Sequence, residues 1–84
     1  MRNMKIPVEI NEQGESTLDE IVAELERLGF HKSMFLPNKN TAFIVTYQSG
    51  GFTDWGKFDS GSYDFPLTTL AELRSMNIET LKEM

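Results

Sequence analysis

The sequence predicts one small α+β domain over residues 1–84: an antiparallel sheet of three to five strands with two or three helices packed on one face, in the order β-α-β-β-(β-hairpin)-α-α. Three observations carry this expectation. Apolar residues alternate through Met4, Ile6, Val8 and Ile10, the period-two pattern of a half-buried strand. Leu18, Ile21, Val22, Leu25 and Leu28 fall within an arc of roughly 120° at ~100° per residue, which makes one apolar helical stripe. Residues 41–47 are β-branched and aromatic with apolar side chains toward both faces, as a central strand requires.

Taken in order, the first strand contains Pro7, which lacks an N–H and therefore belongs at an edge or at an unpaired position. Residues 11–16 form a polar turn with Gly14. Thr17-Leu18-Asp19-Glu20 has the form of a capping box opening the first helix. Gly29 is placed to end that helix in the left-handed conformation, with Phe30 folding back on the last turn. Residues 30–36 and 41–48 read as two strands joined by a turn at 37–40. A glycine-rich loop at 49–56 follows, carrying the only tryptophan, Trp55. Residues 57–64 fit a hairpin about Ser60-Gly61, which sets Phe58 opposite Tyr63 and Lys57 opposite Asp64. Thr69-Leu70-Ala71-Glu72 is a second capping box, and Asn77 breaks the apolar stripe behind it, so a short last helix is expected after that residue.

Length and charge bound the function. A chain of 84 residues holds one core, and at ~0.05–0.15 kcal/mol per residue its stability is roughly 4–12 kcal/mol. Cysteine is absent, which removes disulfides, thiolate metal sites and cysteine nucleophiles. The net charge of −5 has the wrong sign for neutralising phosphates, so no direct nucleic-acid binding is expected. No apolar run is long enough to span a bilayer and no signal-like segment follows the first residues, so no membrane association and a soluble, cytoplasmic protein are expected.

Residues with chemical potential do not assemble into a catalytic set. His31 is the only histidine and has no partner motif nearby. Residues 59–64 bear a superficial likeness to a calcium loop, but lack its alternating acids and distal glutamate. Ser49-Gly50-Gly51 lacks the Gly-Lys-Ser/Thr ending of a phosphate-binding loop, and no Gly-x-Ser-x-Gly elbow occurs. The chain ends too soon after residue 69 to complete a helix-turn-helix. The expectation is therefore no enzyme, no metal and no cofactor.

What remains is a contact surface. Phe52, Asp54 and Trp55 form an aromatic-acidic loop, and tryptophan is a frequent anchor in protein interfaces as well as a lid on small cores. Glu9, Glu12, Glu15, Asp19, Glu20, Glu24 and Glu26 crowd the first third, and Glu20 and Glu24 form an i,i+4 like-charge pair that costs a few tenths of a kcal/mol. These residues point to a protein partner, one with a basic surface if the acids take part, and leave room for a homo-oligomer. In this profile the chain resembles accessory proteins of phages and mobile elements that bind and block a host enzyme, including anti-restriction and anti-CRISPR proteins. The resemblance implies an inhibitor or modulator that acts by protein binding. The alternatives are a nucleic-acid mimic, whose acidic first third occupies a basic groove, and a small ligand-binding domain or enzyme using His31.

Overall fold

Alternation along the first strand decides which side of the sheet becomes the core. In the computed structural model, which describes residues 2–56 and 65–79, β1 (Met4–Pro7) turns Met4 and Ile6 to the buried side and Lys5 and Pro7 to the other. The backbone groups of Lys5 point outward: its N–H donates to the Pro66 carbonyl at 2.9 Å and its carbonyl accepts from the Thr68 N–H at 2.9 Å. Pro7 shares that outward parity, so its missing N–H falls on the outer side of the strand, as its position at an edge anticipates. The alternation holds through Val8, which packs partly against the core, and fails at Ile10, which is 69% exposed.

Helix α1 (Leu18–Arg27) follows a turn over residues 9–17. The capping box expected at Thr17 is not made. The Thr17 hydroxyl accepts instead from the Glu9 N–H at 2.9 Å and so closes the preceding turn, while the Ser16 hydroxyl accepts from the Leu18 N–H at 3.2 Å. The other end matches expectation. Gly29 lies at φ 96°, its N–H donates to the Glu26 carbonyl at 3.1 Å, and the Phe30 N–H donates to the Leu25 carbonyl at 3.0 Å, the two bonds of a Schellman motif. Ile21, Leu25, Leu28 and Phe30 are buried beneath it.

The chain then forms β2 (His31–Lys32), β3 (Thr41–Thr46) and β4 (Gly51–Gly56), in a sheet of order β1-β3-β4-β2. β3 is central, as its composition requires. Two expectations are corrected. The sheet is mixed, because β2 runs parallel to β4 while β1, β3 and β4 pair antiparallel. The strands on either side of residues 37–40 do not pair with each other; β4 lies between them. Both corrections have one cause. α1 carries the chain from one sheet edge to the other, so β2 is laid down parallel to β1, and only a strand hairpinned to β3 fills the space between.

That strand is the glycine-rich stretch itself. Residues 47–51 make the turn, with the Tyr47 N–H donating to the Gly51 carbonyl and the Gly50 N–H to the Tyr47 carbonyl, both at 2.9 Å, and Gly50 at φ 98°. Residues 52–55 are therefore strand and not loop. The hairpin expected at 57–64 and the end of the short last helix lie outside the described residues.

Helix α2 (Leu70–Ser75) opens with the expected capping box. The Thr69 hydroxyl accepts from the Glu72 N–H at 3.1 Å and the Glu72 carboxylate accepts from the Thr69 N–H at 3.3 Å. It stops before Asn77, where a break was expected. Both helices cover the same face of the sheet, and the core of Met4, Ile6, Ile21, Leu25, Leu28, Phe30, Ile44, Phe52 and Leu73 lies between.

Arginines join the helices from both sides: Arg74 on α2 pairs with Glu20 on α1 at 3.0 Å, and Arg27 on α1 reaches the end of α2. Arg27 pairs with Glu24 at 2.6 Å and donates through Nη2 to the carbonyls of Leu73 (3.0 Å) and Met76 (3.1 Å) at the end of α2. A charged donor on otherwise unsatisfied helix-end carbonyls contributes about 1–2 kcal/mol where partly exposed. Arg27→Ala should lower stability by about that amount in urea unfolding, with the slope of the transition unchanged.

Candidate functional site

β4 sorts its side chains to opposite sides of the sheet, and the sequence-predicted contact residues are divided accordingly. Phe52 is fully buried against the helices and is among the largest side chains without exposure. Its ring meets Phe35 edge-on at 5.2 Å. Proposed from sequence as a partner contact, it is instead a core residue, because its register with Thr46 turns it to the helix side. Trp55 faces the other way. It is half-buried on the helix-free side, 6.0 Å from the Phe43 ring, and the Lys5 ammonium lies 4.8 Å from the Phe43 centroid and 5.8 Å from that of Trp55.

Asp54 has a different task. Its Oδ1 accepts from the backbone N–H of Leu36 at 2.8 Å. Together with the Ser33 N–H donating to the Phe52 carbonyl (2.8 Å), the Thr53 hydroxyl donating to the Met34 carbonyl (3.4 Å) and the Phe35–Phe52 contact, it ties residues 33–36 along the outer side of β4. A second knot holds residues 38–41, where the Asn38 N–H donates to Thr41 Oγ1 at 2.8 Å and the Thr41 N–H to the Asn38 carbonyl at 3.0 Å.

The outcome is a loop that is anchored yet apolar at its surface. Met34 is 91% exposed and Leu36 is 79% exposed, on either side of the inward-turned Phe35. Met34 also lies at φ 51°, the only non-glycine residue with positive φ among those described, a conformation costing roughly 1 kcal/mol or more for an L-residue with a Cβ. Lys32 and Lys39 flank the tip and are both exposed. From residue 28 to residue 53 the chain carries Lys32, Lys39 and His31 and no carboxylate, and the carboxylate placed against the loop, Asp54, is engaged by the Leu36 N–H.

The acids gather elsewhere. Glu20 is paired to Arg74 at 3.0 Å across the two helices and Glu24 to Arg27, which offsets the like-charge repulsion on α1. Of the two carboxylates proposed as partner contacts, Glu20 thus bridges α1 to α2, while Glu24 pairs within α1 with the arginine that reaches α2. Glu20 and Arg74 also line a cleft of about 420 Å³ between the 9–12 turn and the start of α2, together with the apolar Ile10 and Leu70 and the carboxylates of Glu9 and Glu12. His31 is exposed at the start of β2. Among the described residues, no three His, Asp or Glu side chains are placed to hold a metal ion, and no helix is long and apolar enough to cross a membrane.

Met34 and Leu36 had no place among the sequence-predicted contacts, because residues 30–36 read as strand. The signal present was the unbroken apolar triplet 34–36 before Pro37, which fits no half-buried strand. Compared with known protein families, with curated proteins and with solved structures, the chain shows no match.

Proposed function

We propose that this chain is a non-enzymatic protein-binding module, an inhibitor or modulator of a partner protein, that engages its target through the loop over residues 32–39. The observation that carries this reading is the pair Met34 and Leu36, exposed on a backbone held by Asp54 and the Phe52 carbonyl. Apolar side chains on a pre-ordered loop bind with little loss of conformational entropy, which is the condition for an interface hot spot. The flanking Lys32 and Lys39 define the complementary surface as an apolar pocket with an acidic rim. This reverses the charge expected of the partner from overall composition. The nucleic-acid-mimic reading draws less support, since Glu20 and Glu24 are already directed at Arg74 and Arg27.

The test is affinity capture from the native host with the wild-type chain and with Met34→Asp/Leu36→Asp, followed by identification of what is retained. Loss of a hot spot of about 2 kcal/mol corresponds to roughly 30-fold weaker binding. The thermal melt should stay nearly unchanged, because both side chains are in water. Equal capture by the two proteins would sink the loop as the contact surface. A companion variant, Met34→Gly, relieves the positive-φ strain; it should raise stability by up to about 1 kcal/mol while weakening the partner.

A further inference from the structure

A pocket with apolar and acidic residues in its lining, the surface the loop calls for, is present on the same molecule. We propose that the cleft between the 9–12 turn and α2 receives the 32–39 loop of a second copy of this chain, in a symmetric pair where each copy supplies one loop and one cleft.

Chemistry and position both support the match. The cleft offers exposed Ile10 and half-buried Leu70 to Met34 and Leu36, and Glu9 and Glu12 to Lys32 and Lys39; Arg74, the cation that also lines it, is engaged by Glu20 at 3.0 Å, which leaves the two glutamates as its excess charge. Glu12 is exposed on a turn held by backbone bonds and the Asn11 side chain, so its carboxylate is carried on a fixed support. β1 and β2 point the same way, since each is linked to β3 or β4 in a sheet where β1 and β4 both oppose β3. The cleft begins at the C-terminal end of β1, and the loop begins at the C-terminal end of β2. The two surfaces therefore sit at the same end of the sheet on opposite edges, about three inter-strand spacings of ~4.8 Å apart. A two-fold axis passing between them at that end brings each loop to the other copy's cleft, and the contact closes on itself instead of propagating.

The inference shares the loop with the function proposed above but not its readout: self-association is measured on the purified chain alone, so either can fail without the other. The experiment is sedimentation equilibrium across protein concentration at low and high salt. A monomer–dimer equilibrium is expected whose dissociation constant rises at least about tenfold between 20 mM and 500 mM salt, since rim charges are screened at that ionic strength. Glu12→Lys and Met34→Asp, each checked by circular dichroism for an intact fold, should each weaken the dimer by at least about tenfold. Mixing the two variants should restore association in part, because the loop of the Glu12→Lys chain and the cleft of the Met34→Asp chain are both intact. A wild-type chain that is monomeric at every concentration overturns the proposal. So does a dimer that survives both substitutions, or a mixture no more associated than its components.

Discussion

Phe52→Ala is expected to lower stability by about 3–5 kcal/mol, the range for removing a fully buried phenylalanine and leaving the space unfilled. Against a total of roughly 4–12 kcal/mol for a chain of this length, that is from about a quarter of the stability to all of it. The loss is large because Phe52 serves two packings at once. It belongs to the buried core that includes Ile44 and Leu28, and its ring meets Phe35, the inward-turned member of the exposed loop. Urea unfolding followed by circular dichroism measures the change. A midpoint near that of the wild type would show that the ring is not the core residue described here.

Asp54→Ala is the second. It removes a charged acceptor from the exposed Leu36 N–H, a loss of about 1 kcal/mol, and so loosens the Leu36 end of the loop while the Ser33, Met34 and Phe35 ties to β4 remain. The consequence extends beyond stability. With that end of the loop loosened, Leu36 must be ordered at the moment of binding, and on the proposed function partner affinity should fall although neither apolar side chain has changed. Asp54→Asn keeps an acceptor in place and should recover most of both losses. Hydrogen exchange at the Leu36 amide is the direct check: protection lost in the alanine variant and largely kept in the asparagine one. Unchanged exchange in Asp54→Ala would remove the carboxylate from its anchoring role.

Elements that depend on local chemistry were legible in the sequence. The Gly29 terminator, the Thr69–Glu72 capping box and the break before Asn77 each rest on residues within a few positions of one another. The central place of β3 and the outward parity of Pro7 followed from composition and from the missing N–H. What was not legible depended on partners distant in the chain. Thr17 has the right neighbours for a cap, but its hydroxyl bonds eight residues back to Glu9. Phe52 and Trp55 both read as candidate anchors, and only the register with β3 sends one into the core and the other to the opposite face. Met34 and Leu36 are outward because Phe35 finds Phe52 and Asp54 finds the Leu36 amide, 17 and 18 residues away.

The placement of β4 between β2 and β3 also dictates an order of assembly. Both flanking strands precede it in the chain, and β2 has only β4 to pair with. During synthesis, therefore, α1 and its Schellman end can form early, while His31, Lys32 and the loop behind them stay untethered until residues 51–54 have left the ribosome. Residues 33–36 therefore acquire their shape only once β4 is in place between β2 and β3. Non-local closure of this kind makes folding slower than the helical content alone suggests.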